Sequence, residues 1–232
     1  MIDIKLHRKY LFNILSDIYS SPVGAYLGFK GGTMFYYFQS LDRFSVDLDF
    51  DLLDETKANT VQQKIKEILE KYGEIIDEKD KFFNIFLLLS YQKGQQGIKV
   101  EISKRNSALS RYETKNFYGK SATVLNIEDA FAQKLVAATD RKRTASRDFY
   151  DIYFLLKNNF NFNEKIIQER TGKDAVSYFR DLKKFIGKNI TERSILAGLG
   201  ELMDPKQKDW AKKNLKKELL SQINFWLSEA GK

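Results

Sequence analysis

The sequence predicts an α/β (α+β) protein with its strands in the first half and helices in the remainder. Segments at residues 46–50, 82–91 and 98–102 are short and either strongly apolar or alternating, which is typical of strands. From residue 126 onward, apolar residues recur every three or four positions, which is typical of helices. The chain of 232 residues is long enough for two domains, and we predict them at residues 1–125 and 126–232.

A glycine pair lies near the start of the first predicted domain. Gly31 and Gly32 are predicted to form a turn between a short strand at residues 26–29 and a helix that begins at Thr33. Glycines let the backbone approach a phosphate closely, and free amides at a helix start attract anions. The two glycines and the Thr33 hydroxyl are therefore candidate phosphate-binding groups.

The segment at residues 46–50 carries two carboxylates. Because side chains alternate along a strand, Asp47 and Asp49 share one face, roughly 6.6 Å apart along the chain. The opposite face is apolar: Val46, Leu48 and Phe50. Paired carboxylates on one face can hold the divalent ions of a metal site, although an acidic, solvated edge strand has the same pattern.

Two helices and a hairpin are predicted to complete the first domain. The helices lie at residues 6–19 and 56–71, each with one apolar stripe. Residues 82–91 and 98–102 flank a glycine-containing connection and predict the hairpin. The polar side of its second strand carries three residues: Lys99, Glu101 and Ser103. Of these, Glu101 is the third candidate metal ligand.

The second domain is predicted to be entirely helical. Its first helix begins at a capping Asn126 and runs to about residue 138, and its second begins near Ser146. Four more helices are predicted, at residues 164–170, 174–186 and 191–199 and after Pro205.

Composition limits the chemistry available to the chain. Cysteine is absent and His7 is the only histidine, which excludes disulfides, Cys/His zinc sites and most Ser-His-Asp machinery. We predict a structural role for His7. Carboxylates and lysines must carry any reaction, and oxygen ligands favour Mg²⁺ or Mn²⁺.

Positive charge is concentrated in the C-terminal third. The chain has 39 Lys and Arg against 31 Asp and Glu, and from Lys157 to the end the numbers are 16 and 10. This asymmetry favours a polyanion such as nucleic acid, although an acidic protein would also fit. The candidate contacts surround the start of the last helix: Lys206, Lys208, Lys212, Lys213, Lys216 and Lys217. No leader or membrane-spanning run is visible, so we expect a cytoplasmic protein without a membrane partner.

The glycine turn and the acidic strand together resemble a known family. Residues 29–33, Phe-Lys-Gly-Gly-Thr, and residues 43–50, Arg-Phe-Ser-Val-Asp-Leu-Asp-Phe, resemble the AbiEii nucleotidyltransferase toxins of the polymerase-beta-like superfamily. That superfamily combines a Gly-Gly-Ser/Thr turn, Asp-x-Asp and a third acid on a later strand, here Glu101. The resemblance implies a mixed-sheet nucleotidyltransferase domain followed by a helical bundle domain, whose first two helices, residues 126–157, complete the active-site cleft.

The resemblance extends into those two helices. Residues 132–135, Ala-Gln-Lys-Leu, match a family motif in which the lysine, here Lys134, approaches the phosphates of the nucleotide. Residues 147–151, Arg-Asp-Phe-Tyr-Asp, match the Arg-Asp-x-x-Asp signature. Asp148 would be an active-site residue that positions Lys134 or Arg147. The predicted nucleotide-binding set is then Gly31, Gly32, Thr33, Ser45, Lys134, Arg147 and Asp151.

The leading hypothesis is a Mg²⁺-dependent nucleotidyltransferase that uses a nucleoside triphosphate and releases pyrophosphate. Asp47, Asp49 and Glu101 would bind metal, and Glu101 would help to deprotonate the attacking hydroxyl. The resemblance implies an RNA acceptor, the tRNA 3′ end, and a toxin-antitoxin or phage-defence role with a cognate antitoxin. Two alternatives remain open: transfer to a protein hydroxyl or a small molecule such as an aminoglycoside, and nucleotide binding without transfer.

Overall fold

The computed structural model describes residues 2–105, 107–140, 145–191 and 193–230 and confirms the mixed α/β class. The chain divides into two compact units, Met1–Asn126 and Ile127–Lys232. All seven described strands lie in the first unit, and five long helices make up most of the second. Within the described part of the chain, no helix is both long and apolar enough to cross a membrane.

The described residues of the first unit form three α-helices and seven strands. The helices are α1 (Ile4–Ser20), α2 (Gly31–Phe38) and α3 (Ala58–Glu70). Short 3₁₀ segments lie at Pro22–Tyr26 and Glu55–Lys57. The strands are β1 (Leu27–Lys30), β2 (Leu48–Leu52), β3 (Glu74–Asp80), β4 (Asn84–Ser90), β5 (Ile98–Ser103), β6 (Tyr112–Phe117) and β7 (Lys120–Leu125).

These strands form one mixed sheet in the order β3-β4-β5-β2-β1-β7-β6. Strands β2 and β5 are parallel, as are β1 and β7, and the other neighbouring pairs are antiparallel. In this register Asp49 lies opposite Glu101 on one side and opposite Lys30 on the other. The pairing therefore brings the two predicted acidic segments next to each other.

The apolar faces of strands and helices form the core of the first unit. Leu48 and Phe50 on β2 and Val100 and Ile102 on β5 are fully buried, as their alternation predicts. The stripes of α1 and α3 are buried too: Leu11, Ile14, Leu15 and Ile18, and Val61, Ile65, Ile68 and Leu69. Each such side chain contributes about 1.5–3 kcal/mol when removed from water. This burial holds the opposite, acidic face of β2 and β5 toward solvent.

The second unit is built from α4 (Ile127–Asp140), α5 (Ser146–Lys157), α6 (Glu164–Thr171), α7 (Ala175–Asn189) and α8 (Pro205–Glu229). Asp204 caps α8 in a reciprocal arrangement with Gln207, and Pro205 occupies the first helical turn. The rings of the half-buried Phe162 and Trp226 pack against the buried Phe179 and against each other, with centroids 4.2–5.4 Å apart.

One predicted helix is wrong. Residues 193–199 form successive turns followed by a short 3₁₀ segment, Gly200–Leu202; Glu192, within the predicted helix, lies outside the described residues. The side chains of Thr191 and Ser194 hydrogen-bond to nearby backbone amides, which competes with helix formation. Gly198 adopts φ +65°, a left-handed conformation that does not continue a helix.

Among the boundaries that differ from the sequence prediction, two concern the candidate site residues. Helix α2 begins at Gly31 rather than at Thr33, so both glycines belong to its first turn. Strand β2 begins at Leu48, so Asp47 lies immediately before the strand although its neighbour Val46 is buried as predicted.

Candidate active site

Three predicted carboxylates converge on one ammonium group in the first unit. Lys99 Nζ lies 3.6 Å from Asp47 Oδ2, 3.6 Å from Asp49 Oδ1 and 3.1 Å from Glu101 Oε2. The parallel pairing of β2 and β5 creates this arrangement, because it sets Asp49 directly beside Glu101. All four side chains are partly exposed, so solutes can reach them. The acids of two separate strands therefore share one cation.

The protonation states in this cluster depend on the balance between burial and charge. Burial favours the neutral form of Glu101, but the Lys99 ammonium and a hydrogen bond from Asn84 (2.9 Å) lower the pKa of its carboxyl below the ordinary value. Burial likewise disfavours the charged form of Lys99. The charges of Asp49, Asp47 and Glu101 outweigh this effect and raise the pKa of its amine above the usual range. Both groups are charged at neutral pH.

These residues have the chemistry that a hard divalent cation requires. Asp47, Asp49 and Glu101 offer carboxylate oxygens, which Mg²⁺ and Mn²⁺ prefer, on a solvent-accessible face of the sheet. The carboxylate oxygens lie 3.1–3.6 Å from the Lys99 ammonium at their centre, whereas Mg²⁺ lies roughly 2.0–2.1 Å from its ligand oxygens. Among the described residues, no three Asp, Glu or His side chains are already close enough together to ligate a metal. The carboxylates fit a metal ion by type and direction, and binding would require them to close on it.

The glycine turn packs directly against the acidic cluster. Gly31 has φ +80°, and a Cβ added to it would lie 2.4 Å from Asp49 Oδ2. A Cβ on Gly32 would lie 2.9 Å from Ser45 Oγ and 3.0 Å from an Arg43 nitrogen. Both positions therefore need glycine, one for its backbone angle and both for space. The first turn of α2 thereby reaches the carboxylates.

Hydrogen bonds between uncharged groups fix the position of the backbone segment that carries Asp47. His7 Nε2 donates to the Val46 carbonyl at 3.0 Å, so its Nδ1 accepts from the Tyr91 hydroxyl at 2.8 Å. Burial lowers the pKa of His7, which favours the neutral ring. The Thr33 hydroxyl donates to the Asp47 carbonyl and lies 2.9 Å from Ser45 Oγ.

Two lysines beside the three carboxylates have no role that the sequence predicts. The alternation of β5 places Lys99 on the face of Glu101, but the convergence of Asp47 and Asp49 on its ammonium requires the sheet pairing. Lys30 Nζ lies 2.5 Å from Asp51 Oδ1, and the charge of Lys30 also lowers the pKa of Glu101. The third acid of the Asp47, Asp49, Asp51 alternation could have been noticed in the sequence. Asp51 is buried, however, and it also accepts a hydrogen bond from the Tyr112 hydroxyl at 2.9 Å.

The second unit contains a separate lysine–carboxylate cluster. Lys134 Nζ on α4 lies 3.0 Å from Asp148 Oδ1 and 3.1 Å from Asp151 Oδ2 on α5. The two acids are three residues apart and share one helix face, and both are buried. Lys134, one of the two partners considered for Asp148, is therefore in direct contact with it. Arg147 lies beside them in the first turn of α5.

The C-terminal lysines line a cavity of about 560 Å³ in the second unit. Its described lining includes Lys212, Lys213, Lys216 and Lys217 and no carboxylate. Lys216 Nζ donates to the carbonyls of Gly187 (3.0 Å) and Ile190 (2.6 Å) and so caps the end of α7. Lys206 and Lys208 do not belong to the lining.

Comparisons with known proteins agree with this architecture. The sequence profile described as "Nucleotidyl transferase AbiEii toxin, Type IV TA system" matches residues 13–221. A proposed nucleotidyltransferase from H. pylori has the same fold, with a TM-score of 0.67, 23% identity and coverage of 99% of this chain and 96% of that one. JHP933 from Helicobacter pylori is also similar, with a TM-score of 0.59, 21% identity and coverage of 100% and 98%. No curated protein matches the chain in sequence.

The family match spans most of the chain and includes the glycine turn, the three carboxylates and the Lys134 cluster. It implies a nucleoside triphosphate as substrate and an antitoxin as partner. The chain belongs to the AbiEii family of nucleotidyltransferase toxins of type IV toxin-antitoxin systems, and it is a nucleotidyltransferase.

Proposed function

We propose that the chain transfers a nucleoside monophosphate from a nucleoside triphosphate to a hydroxyl of RNA, in a Mg²⁺-dependent reaction. The convergence of Asp47, Asp49 and Glu101 on one cation, beside the first turn of α2, carries this proposal. In such a transfer the acceptor oxygen bonds to the α-phosphorus, the bond to the β-phosphate oxygen breaks, and pyrophosphate leaves. The acceptor proton passes to a base, for which Glu101 is the candidate.

Each predicted residue has a task in this reaction. Asp47, Asp49 and Glu101 would hold Mg²⁺, which when bound supplies positive charge to the attacking and leaving oxygens. Backbone amides at Gly31 and Gly32 would bind the phosphates, because they lie at a helix start. Lys134 would neutralise triphosphate charge, held in place by Asp148 and Asp151. Phosphate or nucleotide contacts by Thr33, Ser45 and Arg147 remain predictions; Thr33 is fully buried, so its part would be to fix the Asp47 backbone.

A labelling assay tests the transfer. Purified protein is incubated with Mg²⁺, each α-³²P-labelled nucleoside triphosphate and total RNA, and the RNA is resolved on a gel. We expect label in a discrete RNA band with the wild type and none with Asp47→Ala. Asp77→Ala, which removes an exposed carboxylate on β3, should label RNA like the wild type. Equal labelling by wild type and Asp47→Ala would reject the assigned site.

The proposed RNA acceptor, the tRNA 3′ end, is supported by the lysine cavity beside α8. Within the described part of the chain, Lys212, Lys213 and Lys217 make no ion pair, whereas exposed lysines such as Lys64 and Lys79 do. Unpaired ammonium groups around one cavity attract phosphates. The positive charge does not by itself select RNA, so transfer to protein or an aminoglycoside is an outcome to be measured.

Salt dependence separates these acceptors. RNA binding by the wild type should weaken steeply with salt, and replacing Lys212, Lys213 and Lys217 by Met should lower the slope of log K against log [salt] by about two, at roughly 0.7–0.9 per phosphate contact. A matched triple variant replaces three paired lysines of the first unit: Lys64, Lys71 and Lys79. Equal slopes for the two variants would remove the α8 lysines from the RNA interface. Label on protein or on the aminoglycoside alone would replace RNA as acceptor.

A further inference from the structure

The position of Lys99 in the acidic cluster has a consequence for metal binding. Its ammonium lies within 3.6 Å of an oxygen from each of Asp47, Asp49 and Glu101, the same oxygens that the proposed function assigns to Mg²⁺. Lys99 therefore pairs with all three acids at once. The shared oxygens raise the question of whether both cations can be present.

Electrostatics makes simultaneous occupancy unfavourable. A divalent ion about 2 Å from these oxygens would stand within a few ångströms of the ammonium, and two cations at that distance repel strongly. Conversely, without a cation the three carboxylates would repel one another. One bound cation therefore stabilises the cluster, and a second cation destabilises it.

The Lys99 side chain can leave the cluster without disturbing the fold. It is 27% exposed, its ammonium is carried by a flexible four-carbon stem, and its backbone is fixed in β5 by the sheet. Glu101, two residues further along the same face, can keep its position while Lys99 changes rotamer. This differs from Lys134, whose side chain is enclosed by two buried acids.

We propose that Lys99 is an exchangeable counter-ion of the active site: its ammonium occupies the carboxylate cluster and is displaced when a divalent cation binds. Lys99 thus lowers metal affinity and sets the Mg²⁺ concentration at which the site is loaded. This inference rests on the proposed function, because it takes Asp47, Asp49 and Glu101 as the metal ligands. It assigns Lys99 a regulatory role that the family match does not describe.

Direct measurement of metal binding tests the exchange without any catalytic readout. Binding of Mn²⁺ is followed by the electron paramagnetic resonance signal of the free ion, with no nucleotide present. We expect Lys99→Met to bind Mn²⁺ about 10-fold more tightly than the wild type, because a neighbouring positive charge is removed. Lys99→Arg keeps the charge and should bind like the wild type. Lys104→Met, which removes a lysine paired to the distant Asp80, is the matched control.

Thermal unfolding provides a second, independent readout. Lys99→Met should melt at a lower temperature than the wild type in EDTA, because three carboxylates are left facing one another. Added Mg²⁺ should raise its melting temperature more than that of the wild type. If Lys99→Met does not fold in EDTA, Lys99→Gln, whose amide can still donate hydrogen bonds, is compared in the same way.

The outcomes separate this inference from the proposed function. Equal or weaker Mn²⁺ binding by Lys99→Met and Lys99→Gln would overturn the exchange, while RNA labelling by the wild type would still support the proposed transfer. Tighter binding by Lys99→Met, abolished by adding Asp49→Asn, together with no transfer to any acceptor, would support the exchange and reject the transfer. Absence of Mn²⁺ binding by every variant would overturn the exchange, and absence of RNA labelling as well would overturn both.

Discussion

Two lysine–carboxylate clusters in this chain have the same chemistry but different surroundings. Around Lys99, the three acids are 17% to 36% exposed, whereas the two acids around Lys134 are 2% and 0% exposed. Exposed charges lose little when a partner leaves, because water replaces it, but a buried charge depends on its partner. The first cluster is therefore suited to exchange ions with solvent, and the second to hold one lysine in place.

Removing an acid from the open cluster should affect activity more than stability. We expect Asp49→Asn to lower nucleotide transfer by about 10³-fold or more, which corresponds to about 4 kcal/mol, since a proposed metal ligand is lost. Its free energy of unfolding should change little, because Lys99 keeps Asp47 and Glu101 as partners. Initial rates and urea unfolding measure the two effects. A large loss of stability with normal transfer would show that Asp49 supports the fold and not the reaction.

Removing an acid from the closed cluster should instead lower stability. Asp148→Asn removes one negative charge beside the largely buried Lys134, and breaking such a buried pair costs about 3–5 kcal/mol. Transfer should fall as well if Lys134 binds phosphate. The control is Asp181→Asn, which breaks an exposed pair with Lys173 and should cost under about 1 kcal/mol. Equal unfolding curves for the two variants would contradict the role of burial.

The glycine next to the open cluster allows a sharper comparison. Gly31→Ala forces a side chain into a left-handed conformation, which costs about 1–2 kcal/mol, and pushes its Cβ against the Asp49 carboxylate. Gly94→Ala has the same backbone angle, φ +81°, but meets no atom within 4 Å. We expect both variants to lose stability, Gly31→Ala at least as much as Gly94→Ala, and only Gly31→Ala to lose transfer. Normal transfer by Gly31→Ala would show that the position of Asp49 is not critical.

The sequence was sufficient for the parts of the fold that follow from local pattern. Strict alternation in residues 46–50 and 98–102 located the strands and assigned each acid to the correct face. Apolar residues repeated every three or four positions likewise predicted helices α1, α3, α5 and α8. Strands β3 and β6 were not predicted, because their mostly exposed, polar and charged residues carry no clear apolar alternation. Strand β7 was not predicted either, although Ala122, Val124 and Leu125 are buried.

The site required information that no local pattern contains. The convergence of Asp47 and Glu101 depends on the parallel pairing of β2 with β5, across 54 positions of the sequence, from 47 to 101. The role of Lys99 depends on the same pairing. The hydrogen bonds of Asp51 with Tyr112 and of His7 with Tyr91 join still more distant segments. The sequence predicted the type of each site residue and the face of the strand that it occupies, but it did not predict which distant side chains it contacts.

The smallest expected effect concerns the neutral groups that support the open cluster. Burial lowers the pKa of His7, so the unfolded chain binds a proton more readily than the folded one. Stability from the neutral ring is fully present above the ordinary histidine pKa of about 6.5 and is lost as the pH falls through the lower folded value. Because His7 is the only histidine, this change between pH 7.5 and 5.5 is assigned to one side chain.

Melting temperatures at pH 7.5 and 5.5 measure this dependence, and the proton spectrum of the single imidazole reports its ionisation directly. We expect the wild type to lose stability on acidification and His7→Gln, which has no titrating ring, to be less stable but nearly independent of pH over this range. Protonation removes the acceptor for the Tyr91 hydroxyl, whereas Nε2 can still donate to the Val46 carbonyl. The Asp47 segment should therefore loosen before the Lys134 cluster responds. Equal pH dependence in wild type and His7→Gln would assign the effect to the carboxylates instead.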